Sequence, residues 1–536
     1  MLARISLVLV ALAVVIGIPF ALRPAADEQL AAEAGADRLI IVSPHNEAIR
    51  HEFSVAFRRH HRERTGRDVA LDWRIPGGTS EIARYLASEY TAAFQNHWVN
   101  TLGKKWDSDV DAGFDNRSLE LPNDPAQDTP AQAAKRTFLS SDVGIGVDLF
   151  FGGGAYDFVQ QAQAGRLVDS GVIAARPEWF TDAIIPQKVS GEPFWDPQGL
   201  WIGTVVSSFG ICYNTDSLAR LGVKEVPAAW DALADPALVR QVALADPTKS
   251  GSAAKAFEQI IQQKMQQQLD ATPGDEDAAV RAGWLEGLAL IQKISANARF
   301  FTDAAPKVPL DVSQGDAAIG MCIDFYGRFQ SEAVRVADGS SRLQYFTPLG
   351  GSSVGVDPIA MLRGAPNPET ARAFIEFVLS PEGQKLWNFK VGAPGGPEKF
   401  ALRRLPVRKD FYVPANEPYR SDPGIDPYVE AQHFTYYEEW TGPLFRVISF
   451  AIRVMSIDTH KEQMKAWRAL SAAGFPPQAA ARFGDLSALA YDECMDHIRT
   501  VLRSPDRLQE VRLAKDLADG FRRQYREAAE LARQGL

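Results

Sequence analysis

Three times in the first 165 residues a short apolar run is followed by a loop of small residues and then by an amphipathic helical pattern. Nothing else in the chain constrains its fold as strongly. Leu39-Ile40-Ile41-Val42 leads into Ser43-Pro44-His45-Asn46-Glu47 and a helix with Ile49, Phe53, Ala56, Phe57 and His60 on one face, stopping near Gly66. Val69 to Trp73 leads into Pro76-Gly77-Gly78-Thr79-Ser80 and a helix over 81–94, and Val147 to Phe151 into Gly152-Gly153-Gly154 and a helix over 156–164. Strand, loop and helix in this alternation predict an α/β fold built on a parallel sheet. In such sheets ligands gather beyond the carboxyl ends of the strands, where these three loops lie.

A second unit of the same kind follows. Val205 to Tyr213 reads as a strand ending in Asn214-Thr215-Asp216, and Gln241 to Ala245 as a strand whose loop is Asp246-Pro247-Thr248-Lys249-Ser250-Gly251-Ser252. The next helix turns Phe257, Ile260, Ile261 and Met265 inward. Ala317 to Ile323 is a further strand, ending at Asp324-Phe325-Tyr326, and Val354 to Leu362 is extended and precedes a helix over 369–379. Between the second helix and the third strand, a polar stretch over 97–141 carries Asp107, Asp109, Asp111, Asp115 and Asn116. Its glycine (Gly113) falls one residue late for a calcium loop and Ser118 stands where the closing glutamate belongs, so it reads as a solvated insertion.

Composition removes several classes of function. A net charge of −10 over 536 residues repels a nucleic-acid backbone. Three cysteines without a C-x-x-C pair make neither a disulfide framework nor a structural zinc site. The eight histidines contain no H-x-x-x-H pair, and no G-x-x-x-x-G-K-[ST] loop occurs. Gly351-Ser352-Ser353-Val354-Gly355 matches the G-x-S-x-G of a hydrolase elbow, but that motif needs a helix directly afterwards and Val356 to Met361 is extended, so the chain does not read as an enzyme. After Arg4 come eighteen uncharged residues, Ile5 to Leu22, which predict export: residues 1–26 read as a signal peptide or a membrane anchor.

The segments YNTDSLARLG, VPAAWDALADP, VALADPTKSGS, GDAAIGMCIDFY and NPETARAFIEFVLSPEGQKLW then occur in an order that is recognisable. Over about residues 38–400 the chain resembles the two-lobed (type II) extracytoplasmic solute-binding proteins of ABC importers, in particular the ferric-ion-binding-protein-like subfamily. The resemblance implies a first lobe over 38–206 and 350–400 and a second over 207–349. Strands would cross between them near Ser207 to Tyr213 and near Gly350 to Leu362. It further implies a monomer in the periplasm, a ligand held in the interlobe cleft, hinge closure on capture, and an ABC permease that reads the closed form.

The family's iron site uses a histidine in the first loop, a glutamate after the third strand and two adjacent tyrosines in the second lobe. His45 matches the histidine, Gly152-Gly153-Gly154 replaces the glutamate, and Phe325-Tyr326 leaves one phenol, with Asp324 as a substitute oxygen donor. The transported ligand under this reading is ferric iron with an accompanying anion, on His45, Asp324 and Tyr326; no resident cofactor is expected. The loops favour a different cargo. Helix amino ends offer unpaired N–H groups and partial positive charge, and small residues let an anion reach them. A small phosphorylated or phosphonate-like solute would then sit among His45, Gly78, Thr79, Ser80 and Gly153 of the first lobe and Ser250, Gly251, Asp324 and Tyr326 of the second. The plain alternative is that the hydroxyls only cap their helices.

Residues 401–536 lie outside the resemblance and read as a helical C-terminal extension. Ser504-Pro505 is a start signal, and Leu508, Val511, Ala514, Ala518, Phe521, Tyr525 and Ala528 form one apolar stripe. Leu444 to Ile457 is apolar but too short to span a bilayer. The expected role is a subdomain packed on a lobe. The rival is a docking surface for a permease or a sensor partner, which would make the chain a membrane-tethered ligand sensor.

Overall fold

A computed structural model describes residues 35–536 apart from Val226 and Pro505. The expected signal or anchor over 1–26 and the proline of the expected start signal at 504–505 lie outside the described residues. In chain order the elements used below are β1 (Asp37–Val42), α1 (Glu47–Thr65), β2 (Val69–Arg74), α2 (Thr79–Asn96), β3 (Leu149–Phe151), α3 (Ala155–Gln163), β4 (Leu167–Val168), β5 (Ile202–Ser207) and β6 (Phe209–Asn214). There follow β7 (Val242–Ala245), α4 (Gly251–Ala271), α5 (Glu276–Asn297), β8 (Ala298–Thr302), β9 (Ile319–Ile323), α6 (Asp324–Ala333), β10 (Leu343–Phe346) and β11 (Gly355–Leu362). The last are α7 (Pro368–Leu379), α8 (Pro381–Asn388), β12 (Leu405–Pro406), α9 (Phe445–Ile452), α10 (His460–Ala472) and α11 (Arg507–Gln534).

The strands named above form two sheets, one in each α/β lobe, and Lys188–Val189 and Glu192–Pro193 pair as a separate hairpin. The first has the order β12-β5-β11-β3-β1-β2, with β4 on β11, and the second β8-β7-β9-β6-β10. β1 lies parallel to β2, from Asp37 opposite Val69 to Val42 opposite Arg74, and parallel to β3 on its other side. Their carboxyl ends, and so their loops, emerge together. The first lobe closes around an aromatic centre in which Phe53 and Phe151 pack on Trp387 and Phe57 on Phe374 and Phe377. Each such ring, fully buried, contributes about 1.5–3 kcal/mol of apolar transfer.

One residue, Ser208, separates β5 of the first sheet from β6 of the second, and residues 347–354 carry the chain back from β10 to β11. The two crossings are bonded to each other. Phe209 N–H donates to Ser352 Oγ at 2.9 Å, and the hydroxyls of Ser208 and Thr347 meet at 3.1 Å. A pair of linked strand crossings is a pivot on which two packed bodies can rotate with little internal change.

Three sequence expectations change in detail. The insertion over 97–141 is not merely solvated, because Phe114 packs on Phe94 and Phe138 at ring separations of 5.1 and 5.3 Å. Its carboxylates have local work: Asp107 caps the short helix Ser108–Gly113, and Asp115 pairs with Arg166. The extension does not start cleanly at 401, since Leu405 and Pro406 pair with Val206 and Val205 and extend the first sheet. Beyond about residue 437 it joins the other lobe: Trp440, Ile448, Met455, Trp467, Phe521 and Tyr525 share one core with Trp230, Trp284, Leu288 and Ile291. In the predicted stripe Ala514, Ala518, Phe521, Tyr525 and Ala528 are buried, whereas Leu508 and Val511 are each 64% exposed, and the first turn of α11 is tied instead by Glu510 to Arg446 of α9 at 2.8 Å.

Candidate functional site

The three loops at the carboxyl ends of β1, β2 and β3 meet. Asn46 Oδ1 accepts from Ile49 N–H and fixes the start of α1, while Ser43 Oγ accepts from His45 N–H at 3.0 Å. His45 is thereby held with its ring edge-on to Phe151 at 4.6 Å and only 6% exposed. Burial, and next the charges of Arg404 and Arg50, hold the imidazole well below its ordinary value of 6.5, so it is neutral. Neither ring nitrogen has a hydrogen-bond partner among the described residues. A buried polar group without a partner is unusual enough to mark a position for a ligand.

The triple glycine is explained by what faces it. Gly152 and Gly153 have φ of 94° and 116°, the left-handed region that side chains avoid. A Cβ on Gly152 would lie 2.5 Å from His45 Nε2, and one on Gly153 would lie 2.6 Å from Thr79 Cγ2. The glutamate of the iron-binding pattern has no room here. Gly78 is the N-cap of α2 and supplies no side-chain cap, and the Glu81 carboxylate of the first turn folds back beside it: a Cβ on Gly78 would lie 3.1 Å from Glu81 Oε2.

On the second lobe, α4 begins at Gly251, and Ser250 Oγ accepts from Ala253 N–H at 3.3 Å. Ser250 is therefore a helix cap in this state, the plainer of its two readings. Gly251 faces the first turn of α3: a Cβ on it would lie 3.8 Å from Asp157 Oδ2. The amino ends of α3 and α4, one from each lobe, thus oppose each other across the cleft. Burial pushes the Asp157 carboxyl up to about 7.

Asp324 and Tyr326 connect to this group through a residue that the sequence reading missed. Asp324 is fully buried, pushed up to about 6 by burial, and its Oδ2 accepts from Arg328 at 3.1 Å. Burial pushes the Tyr326 phenol up to about 12. Arg404 lies at the centre. Its guanidinium sits 3.9 Å above the Phe325 ring, donates to Ser207 Oγ at 3.0 Å and pairs with Asp357. It acts on the ionisation of His45, Asp324 and Tyr326 alike, and its Nε has no partner among the described residues. Arg404 stands just past residue 400, where the sequence resemblance stops. Among the described residues no group of three or more histidine, cysteine, aspartate or glutamate side chains is placed to hold a metal ion. Ser353 of the G-x-S-x-G match donates its hydroxyl to Glu192 Oε1 at 2.6 Å and is followed by strand β11, not by a helix.

Residues 147–393 match the family described as bacterial extracellular solute-binding protein. Over that span, a little under half of its length, the chain is similar to this family. Among curated proteins, it is similar to an uncharacterized protein of Haemophilus influenzae, 28% identical over 245 residues, which cover 45% of this chain and 60% of the relative. It is also similar to the phosphoglycerate transport regulatory protein PgtC of Salmonella typhimurium, 25% identical over 185 residues, covering 34% of this chain and 40% of the relative. The chain thus spans about 60% and 40% of the lengths of these two relatives. Solved structures similar to it include the periplasmic binding protein AfuA of Actinobacillus pleuropneumoniae with fructose-6-phosphate, at TM-score 0.41 and 17% identity over 65% of this chain and 81% of that one. Iron-bound HitA of Pseudomonas aeruginosa has TM-score 0.44 and 15% identity over 77% and 98%. That family is described as one of extracellular binding proteins, and among the described residues of this chain no helix is long and apolar enough to cross a membrane.

Proposed function

We propose that this chain captures a small anionic solute carrying a phosphate or phosphonate group in the cleft between its lobes and delivers it to an ABC permease. The observation that carries the reading is the opposition of the amino ends of α3 and α4, where Gly251 stands against Asp157 and the glycines Gly152 and Gly153 line the neighbouring loop. N–H groups and partial positive charge then converge from both lobes, and the Asp157 carboxyl that faces Gly251, pushed up to about 7 by burial, would have to be protonated or turn aside for an oxyanion to approach. His45 is neutral, so it serves as a hydrogen-bond partner and not as a counter-charge. Ferric iron is less well served: Asp324 is engaged by Arg328, and the glutamate position is closed by the His45 ring. A second reading, a ligand sensor, draws on the likeness to PgtC of Salmonella, a transport regulatory protein, and on the large C-terminal extension.

Gly251→Pro tests the site with little disturbance to the fold. Proline is at home as the first residue of a helix, and Ser250 before it is already extended at φ −130° and ψ 112°. The variant removes one N–H from the anion's reach. Titration calorimetry with a panel of phosphate monoesters and their unphosphorylated counterparts should show binding of the former only. Gly251→Pro should weaken it about tenfold, the worth of one hydrogen bond to a charged group, about 1.5 kcal/mol. Equal binding of the unphosphorylated compounds would sink the proposal.

A further inference from the structure

A buried ionic cluster at the pivot joins parts of the molecule that are far apart in sequence. Lys255 Nζ lies 2.9 Å from Glu192 Oε1 and 2.9 Å from Glu258 Oε2, and 3.5 Å above the Tyr436 ring. Glu192 belongs to a hairpin (Lys188–Val189 with Glu192–Pro193) on the first lobe, Lys255 and Glu258 to α4 of the second, and Tyr436 to the extension. The carboxylates are furnished with donors. Glu258 Oε1 accepts from the Tyr436 hydroxyl at 3.0 Å and from Thr441 Oγ1 at 2.6 Å, and Glu192 Oε1 accepts from Ser353 in the returning crossing. Burial alone would lower the Lys255 ammonium, but the two carboxylates override it and hold the group well above its ordinary value.

The extension is fastened to the hairpin as well. Tyr436 N–H donates to the Ser190 carbonyl at 2.7 Å, Ser190 Oγ donates to the Ala431 carbonyl, and a Cβ on Gly191 would collide with the Tyr436 carbonyl. On the lobe-two side, Gln262 Nε2 donates to the Tyr437 carbonyl at 2.6 Å and Gln262 Oε1 accepts from Tyr437 N–H at 3.0 Å. A buried ion pair gains little net stability over apolar packing, so its use is better sought in registering one part against another.

We propose that Lys255, gripped by Glu192 and roofed by Tyr436, is a latch that couples the closed arrangement of the lobes to the seating of the C-terminal extension. Lys255 lies one helical turn beyond Gly251 on α4, so the latch holds the helix whose amino end faces the cleft. This regulation rests on the reading that closure of α4 against α3 retains the ligand. Displacement of the 431–441 segment, for instance by a protein that engages the extension, would uncover Lys255, free the hairpin and release the cleft.

The test uses the full chain without any ligand and reads backbone hydrogen exchange by mass spectrometry. Glu192→Gln removes the first-lobe charge and leaves Lys255 balanced by Glu258, so the second lobe keeps a neutral pair. It should raise exchange at least tenfold across 431–441, a segment it does not belong to. Tyr436→Leu should do the same across 187–193, and the double variant should exceed neither single by more than about twofold, because both break one device. Effects confined to the substituted segment, or multiplying in the double variant, would overturn the latch. Should Tyr436→Leu fail to fold, the response of 431–441 to Glu192→Gln decides alone. The calorimetric panel above tests the anion reading separately, so either proposal can fail without the other.

Discussion

Asp157 sits where an anion-binding cleft would least want a carboxylate, facing the amino end of α4. Its folded-state value, pushed up to about 7 by burial, lies above the ordinary 3.8. Folding therefore favours the protonated form. That contribution is complete below about pH 4 and is lost as the pH rises through 7, where the side chain must ionise in a confined place. The α4 dipole offsets part of the cost. Asp157→Asn should accordingly stabilise the protein by roughly 3 kcal/mol more at pH 8 than at pH 4.5, less whatever the helix dipole offsets. It should also tighten phosphate-monoester binding at the higher pH by removing a like charge. Thermal melts at the two pH values check this, and equal shifts at both would mean that the folded-state carboxyl of Asp157 is not raised.

At the scale of elements, α11 shows how far a helix can be read before its partner is known. Its apolar period is plain in the sequence, yet only the stretch from Ala514 onward meets the second lobe, where the Tyr525 hydroxyl donates to the Met455 carbonyl and accepts from Gln292. Phe521→Ala should cost about 3–5 kcal/mol, whereas Leu508→Ala should stay within about 0.5 kcal/mol. Because one core serves extension and lobe, denaturant unfolding of Phe521→Ala followed by Trp284 and by Trp467 fluorescence should move as one transition. Two separated transitions would show the extension to be an independent body. The same contrast explains what else was legible. Strands, glycine loops and helices announce themselves by local periodicity, so the three first-lobe loops and His45 could be placed from sequence. β12 could not, because two residues carry no period and owe their pairing to β5. Arg404, Asp157 and Lys255 were also invisible. Each is a single charged residue whose meaning comes from partners more than 40 residues away, or from the opposite lobe.

For the whole molecule, the question is whether an anion can drive closure. A ligand moves a conformational equilibrium only by the difference between its affinities for the two states. In an open form the solute would touch one lobe alone. Closure adds the N–H groups at the amino end of α4, each worth about 1.5–3 kcal/mol to a charged acceptor. Two such bonds give roughly 3–6 kcal/mol, against the about 5.5 kcal/mol that turns a 1:99 population into 99:1. The margin is narrow, and every donor counts. The pivot allows the motion, since a single residue on one side and eight on the other join the sheets, while the latch at Lys255 biases it toward the closed form. Small-angle scattering should therefore show a radius of gyration that falls when the wild-type protein is saturated with a phosphate monoester. In Gly251→Pro at matched saturation the fall should be smaller, because one closing bond is gone. In Glu192→Gln the ligand-free radius should start larger and the fall should be greater. An unchanged radius at saturation in all three would mean that the lobes do not close on the solute.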